Sequence, residues 1–465
     1  MSKIQEKLFK EIKDDSLFEK SLSYSKEYIA KIFDRDVYPS DQAIKDLDVF
    51  DSALPVDGLD GHHLIEHLNT FGSPATNAQL GGRYFGFVNG SAVPAGIAAK
   101  QLATTWDQNS GLQIISPICA KLESVVEKWI NKLFDLDDKC VSGFVTGTSA
   151  ANFCSLAAAR YRILKNQGWD VNKKGLWNAP RVRIVAGKQA HSSVLKAVNM
   201  NGFGQESIEW VDVDHQGRML VDSLPALDNT CLVLLQAGNV NSGAFDDFDN
   251  ICTLANNAGS WVHIDGAFGL WAQCSSSLKH WTNGIAKADS LAVDGHKTLN
   301  TPYDCGIVIC KDKDALSSAM HMSASYIMQN QERDGMYYTA DMSRRSRVIE
   351  LWATICSLGI HGIDEMVTSM HEKANLFADL LSSADGFTVL NEIDFNQIVV
   401  CCNSDELTSQ VMQHIQQSGD CWVGHAMWKN KRVIRISICS WATTKDDINR
   451  SFNAFKTALE HCTTS

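Results

Sequence analysis

Two stretches decide the fold: Trp261-Val262-His263-Ile264-Asp265-Gly266-Ala267 and Asp294-Gly295-His296-Lys297-Thr298. Each ends a short apolar run, Val262 to Ile264 in the first case and Leu291-Ala292-Val293 before the second. Such runs read as buried parallel strands with a charged residue at the exit. In open α/β sheets ligands sit just outside those carboxyl ends. The sequence therefore delivers an acid, Asp265, and an amine, Lys297, to one edge of a sheet.

That pair suits pyridoxal 5'-phosphate, which needs a lysine for its Schiff base and a carboxylate beside its pyridine nitrogen. The carboxylate keeps that nitrogen protonated, so the ring can accept electrons from a bond broken at an amino acid's α-carbon. Either residue alone reads more readily as a strand-end acid or a surface amine without a partner. Their company decides the reading. His296 directly before Lys297, and small Ala267 two residues past Asp265, resemble the group II pyridoxal-phosphate-dependent amino acid decarboxylases, whose members act on aromatic amino acids, glutamate or diaminobutyrate. The resemblance implies that Lys297 carries the Schiff base.

Composition sets the outer bounds. A chain of 465 residues, 45% hydrophobic with only 8 Pro, buries a large core and forms two or three packed units. A net charge of -12 with no basic block excludes the footprint of a nucleic-acid binder. The charged start, Met1 to Lys7, lacks the apolar core of a signal peptide, and no apolar run nears the ~20 residues that span a bilayer. Fourteen Cys, mostly in apolar segments and never as Cys-x-x-Cys, read as reduced core thiols. The expected location is the cytoplasm, with neither membrane nor nucleic acid as partner.

Residues 1 to about 75 read as helices with polar loops. Within them His63-Leu64-Ile65-Glu66-His67 matches the H-x-x-E-H of certain zinc hydrolases. With no third ligand in view, a capped helix bearing surface histidines is preferred, and no metal is expected. Downstream, Arg83-Tyr84-Phe85-Gly86-Phe87-Val88 resembles the segment that gives the decarboxylases apolar walls for their substrate, which makes Tyr84 and Phe85 candidates. Near Leu112 the same family lets one subunit reach its neighbour's active site, which implies a homodimer.

Gly143-Phe144-Val145-Thr146-Gly147-Thr148-Ser149 reads as a strand, a tight turn and a helix start. The helix N-terminus offers unpaired N–H groups to an anion, and Thr148 and Ser149 add hydroxyls, so a phosphate fits there. Relatives usually carry Gly where Thr148 stands. Gln189-Ala190-His191-Ser192-Ser193, after a strand over 181–186, resembles the family's ring-stacking histidine and assigns that role to His191. Asn239, after the strand from Cys231, stands where relatives place a Thr near the ring hydroxyl, and an amide can supply the same hydrogen bond. With Asp265, Ala267, His296 and Lys297 these complete the expected cofactor-binding set.

Past Lys297 lies a polar stretch over 328–342. In aromatic amino acid decarboxylases a loop of this region supplies a tyrosine that reprotonates the carbanion, and here Tyr337 and Tyr338 are both candidates. Cys356 stands where relatives commonly have Arg. Arg435, in Val433-Ile434-Arg435, reads either as a carboxylate binder or as a strand-edge charge.

The expectation is an α/β protein of fold-type I, with a mixed, mostly parallel central sheet. A helical N-terminal segment over 1–88 packs on a dimer partner, a large cofactor domain spans 89–352, and a small C-terminal α/β domain spans 353–465. The expected reaction is decarboxylation of an L-amino acid to its amine, with transamination or another pyridoxal-dependent lyase reaction as the alternative and zinc hydrolysis at His63, Glu66 and His67 as a remote one.

Overall fold

A computed structural model describes residues 1–321 and 333–464. Its centre is a seven-stranded sheet of β1 (Val141–Val145), β2 (Arg183–Gly187), β3 (Ile208–Val211), β4 (Cys231–Gln236), β5 (Trp261–Asp265), β6 (Ser290–Asp294) and β7 (Gly306–Cys310), in the order β1-β7-β6-β5-β4-β2-β3. Strands β2 to β6 pair in parallel where they adjoin, while β7 runs antiparallel to both neighbours, β1 and β6. The carboxyl ends of β1, β2, β4, β5 and β6 consequently share one edge. Burial at every residue of β1, β4, β5, β6 and β7 explains their continuous apolar text.

Helices cover the sheet. The helix Thr148–Asn166 packs across β5, β6 and β7, and its run of Ala157, Ala158 and Ala159, all at most 1% exposed, lets the backbones approach closely. Where β7 enters between its neighbours, a Cβ on Gly306 would fall 2.4 Å from the Cα of Gly147. Position 306 therefore needs glycine.

A second, four-stranded antiparallel sheet holds β8 (Thr388–Val389), β9 (Gln397–Cys401), β10 (Gly424–Trp428) and β11 (Lys431–Ser437), ordered β10-β11-β9-β8. The helix Asp405–Ser418 packs on β11, and Lys445–Thr464 packs against that helix. The helix Val348–Ser382 runs through position 352 without a stop and breaks instead at Gly359, whose φ of +62° is left-handed. The stretch Arg83–Phe85 joins this smaller unit through backbone bonds: Phe85 N to Trp422 O, Trp422 N to Arg83 O, and Ser437 N to Phe85 O.

The N-terminal helices Lys3–Glu11, Asp15–Lys31, Asp41–Lys45 and Gly61–His67 each begin at a side-chain cap, from Ser2, Asp14, Ser40 and Asp60. Such caps contribute about 1 kcal/mol apiece. Leu8, Phe9, Ile12 and Phe18 on the first two helices are all more than half exposed.

Candidate active site

Asp265 ends β5 and Asp294 ends β6, with Lys297 one turn further on. Lys297 Nζ lies 3.0 Å from Asp294 Oδ2, and the Asp294 side chain is only 3% exposed. The Lys297 backbone is held as well. Its carbonyl accepts from Asn300 N at 2.9 Å and from Asn300 Nδ2 at 2.8 Å. The same Asn300 amide reaches the carbonyls of Thr298 and Cys439, while its oxygen accepts from Trp441 N at 2.8 Å. Gly90 presses on the Lys297 carbonyl so closely that a Cβ would sit 2.1 Å from it.

The Asp265 carboxylate, 5% exposed, is oriented by three donors. Asn152 Nδ2 reaches Oδ2 at 3.0 Å, Ser193 Oγ reaches the same oxygen at 3.3 Å, and Ala267 N reaches Oδ1 at 3.2 Å. His191 stands at the exit of β2 and caps the helix Ser192–Met200, its Nδ1 accepting from Ser193 N. Its own amide donates to Gln236 Oε1 at 3.2 Å. Burial lowers the His191 pKa more than Asp265 raises it, so the ring is neutral at neutral pH. A neutral, flat ring facing a carboxylate and an amine can stack on a planar ligand.

The first turn of the helix Thr148–Asn166 has no side-chain cap, and the Thr148 hydroxyl is buried without a hydrogen-bond partner among the described residues. Ser149 beside it is exposed. An uncapped N-terminus with an unsatisfied hydroxyl fits a phosphate. Arg435, from β11, has a half-buried guanidinium that makes one bond, Nη1 to the Val240 carbonyl at 3.4 Å, and no ion pair with an acid among the described residues. Burial lowers its pKa. Its charge also depresses the His191 pKa, so it faces the same site. Amine, ring-facing acid, flat imidazole, phosphate cradle and unpaired guanidinium together fit pyridoxal phosphate and a carboxylate-bearing substrate.

Residues 52–402 match the family model described as the pyridoxal-dependent decarboxylase conserved domain. The chain belongs to the pyridoxal-dependent decarboxylase family. Among its relatives, the acidic amino acid decarboxylase GADL1 of Mus musculus is 30% identical over 269 residues, 55% of this chain and 48% of that protein. The aspartate 1-decarboxylase of Aliivibrio fischeri is 28% identical over 59% of this chain and 52% of its own length. The chain thus spans about half the length of these two relatives. The crystal structure of Oryza sativa TDC with PLP and tryptamine superposes with a TM-score of 0.87 at 19% identity, covering 96% of this chain and 97% of that one, which shows a shared fold.

Other expected residues of this family member fall further out. The His296 ring accepts from Cys305 N at 3.0 Å and lies 4.2 Å from the Tyr303 ring, centroid to centroid. It borders the phosphate cradle, since a Cβ on Gly147 would be 3.3 Å from His296 Cε1. Asn239 Oδ1 accepts from Asn241 N and Ser242 N, which shapes the turn that carries Val240. Its Nδ2 is buried without a partner among the described residues. Tyr84 stacks on Trp422 at 5.2 Å. Phe85, 1% exposed, instead turns into the core against Phe377, because alternation along an extended segment sends neighbouring side chains to opposite faces.

The two candidate tyrosines lie apart from this group within the single chain. Tyr338 lies beneath Arg333, 4.5 Å from guanidinium to ring, and Tyr337 meets the His321 ring at 4.6 Å. The turn Gly335–Tyr338 backs onto β1, where glycine at 143 admits the Tyr338 carbonyl, so neither ring contacts Lys297, Asp265 or His191 among the described residues. Part of the polar stretch over 328–342, namely 328–332, lies outside the described residues. At the zinc-like motif, Glu66 is taken up by Lys20 at 2.8 Å, and no group of three metal-binding side chains occurs among the described residues. Cys356 is exposed.

Asn152, Ser193, His263, Asp294 and Asn300 were given no role from sequence. The available signal was polar residues inside otherwise apolar or Ala-rich text, as with Asn152 in the helix Thr148–Asn166 and His263 within β5.

Proposed function

We propose that this chain decarboxylates an L-amino acid to its amine, using pyridoxal 5'-phosphate held by Lys297. The observation that carries the reading is the meeting of Lys297, Asp265 and neutral His191 at one sheet edge, beside the uncapped helix that starts at Thr148. When bound, the cofactor supplies a ring that accepts the electron pair left behind by the departing carboxylate. The chain's own residues do the rest. Lys297 forms the covalent attachment, Asp265 holds a proton at the ring nitrogen, His191 covers the ring face, and Thr148 and Ser149 bind the phosphate. Ala267, His296 and Asn239 shape the walls, and Tyr84 borders the substrate side. Arg435 offers the substrate carboxylate a charge-assisted contact.

We read residues 1–88 as an arm, 89–352 as the cofactor domain and 353–465 as the small domain. The arm's exposed Leu8, Phe9, Ile12 and Phe18 form an apolar face of the kind a second copy covers, which supports a homodimer with sites at the interface. Fourteen free cysteines support a reducing, cytoplasmic setting. The test is to supply amino acids one at a time and measure carbon dioxide and amine. Release from an amino acid, abolished by borohydride treatment, supports the reading. Keto-acid formation without carbon dioxide overturns it in favour of transamination.

A further inference from the structure

Behind Asp265 runs an unbroken line of buried side chains. Asn152 Nδ2 meets Asp265 Oδ2 at 3.0 Å; Asn152 Oδ1 meets His263 Nε2 at 2.9 Å; His263 Nδ1 meets Ser290 Oγ at 3.0 Å; and Ser290 Oγ meets Trp261 Nε1 at 3.0 Å. No member is more than 5% exposed, and Asn152, His263 and Ser290 are fully buried. The two ends of the line are chemically one-way. An indole N–H only donates, and a carboxylate only accepts.

The carboxylate end orients the groups between them. At the Trp261 end, Ser290 Oγ accepts the indole proton and keeps its own proton to donate to His263 Nδ1, which is compatible with an imidazole proton on Nε2. From the Asp265 end, the Asn152 NH2 must face the carboxylate, so its oxygen faces His263 Nε2, which must then donate. The carboxylate end sets the tautomer, and the indole end accommodates it. Burial agrees, pushing the His263 pKa to about 4 against smaller upward pulls from Asp265 and the Ser290 backbone, so the ring is neutral at neutral pH.

We propose that His263 is a positioning residue: as the Nε2–H tautomer it fixes the Asn152 amide so that its NH2, and not its oxygen, faces the Asp265 carboxylate. An asparagine amide is close to symmetric in shape and reverses by a half-turn. Reversed, it would set an oxygen against the carboxylate and turn Asp265 away from its ligand. The inference rests on reading Asp265 as the partner of the cofactor's ring nitrogen, yet the tautomer is a property of the chain itself.

The experiment is nitrogen NMR on protein labelled with 15N-histidine, with and without cofactor. The His263 resonances are assigned by their loss in His263→Gln. Protonated Nε2 and bare Nδ1 at neutral pH are expected in both forms; a proton on Nδ1, or on both nitrogens, overturns the proposal. In the loaded enzyme, His263→Leu should lower kcat about ten- to a hundredfold, as loss of an outer hydrogen-bond partner does at other sites. KM should change little, and the cofactor's absorbance band should shift. His263→Gln, which can still donate to Asn152, should recover most of the rate. Wild-type kcat with an unshifted band in His263→Leu overturns the proposal. If the tautomer is as stated but Asp265→Asn turns over normally, the reading of Asp265 fails and not the orientation of the line.

Discussion

Lys297 Nζ and Asp294 Oδ2 form an ion pair at 3.0 Å, and the second oxygen of Asp294 is buried without a hydrogen-bond partner among the described residues. Asp294 therefore depends on Lys297 for its counter-charge. Lys297→Ala removes the amine that borohydride would trap with the cofactor and also strands this carboxylate. Removing one partner of a buried pair costs about 3 to 5 kcal/mol, and a lysine side chain 19% exposed belongs at the lower end. The double variant Lys297→Ala, Asp294→Asn should regain most of that loss. Urea denaturation of the cofactor-free proteins measures it; equal midpoints for wild type and Lys297→Ala would sink the idea.

Asp265→Asn separates charge from shape. The new amide presents an NH2 where both carboxylate oxygens accept, so either Asn152 Nδ2 or Ala267 N meets a donor. One buried donor left unpaired costs about 1 to 3 kcal/mol of stability. Turnover should suffer more. Stripping a partner from a buried charged pair costs about 3 to 5 kcal/mol, or roughly two to four decades in rate. A kcat within about threefold of wild type would remove Asp265 from the ring-nitrogen role.

Arg435 predicts opposite effects on stability and binding. Its half-buried guanidinium has only the Val240 carbonyl as a hydrogen-bond partner among the described residues, an arrangement that waits for an anion. Arg435→Met should stabilise the cofactor-free protein by about 1 kcal/mol. It should also raise KM for the amino acid substrate by about tenfold or more, since loss of a charge-assisted contact is worth ~1.5 to 3 kcal/mol. A destabilised variant with an unchanged KM would return Arg435 to a purely structural role.

His263 should leave its mark on the pH dependence of stability. Its pKa falls from 6.5 to about 4 on folding, so between those values the unfolded chain binds the extra proton. Stability from this group is then complete above pH 6.5 and drains away as the pH falls towards 4, by about 3 kcal/mol at 1.36 kcal/mol per unit. Asp246 and Asp289, both raised to about 6 by burial, oppose it, because the folded chain protonates them first as the pH falls. The contribution is isolated by comparison: the stability gap between wild type and His263→Gln should shift by about 3 kcal/mol in the variant's favour between pH 7 and pH 4. A gap independent of pH would contradict the buried neutral ring.

Sequence text revealed the sheet because parallel strands buried on both faces are written as continuous apolar runs, as in Val262 to Ile264 and Leu291 to Val293. The placing of Lys297, Asp265 and His191 at one sheet edge was legible for the same reason: each follows such a run. The residues that orient them were not. Asn152 lies 113 positions from Asp265 and Asn300 lies 139 from Cys439, so only folding brings them together. The surroundings of Phe85 and the tyrosines were not legible, because aromatic residues beside glycines look alike whether they line a pocket or fill a core. The long helix hid its break at Gly359, since a single left-handed residue leaves no periodic trace.

One amide, that of Asn300, gathers the carbonyls of Lys297, Thr298 and Cys439, and its oxygen receives Trp441. The backbone that carries the reactive amine is thereby riveted to the chain leaving β11. The C-terminal region is consequently no detachable accessory. Cutting the protein before β8 would remove the far anchor of the lysine's own backbone, so no shortened version of the cofactor domain inherits a finished site.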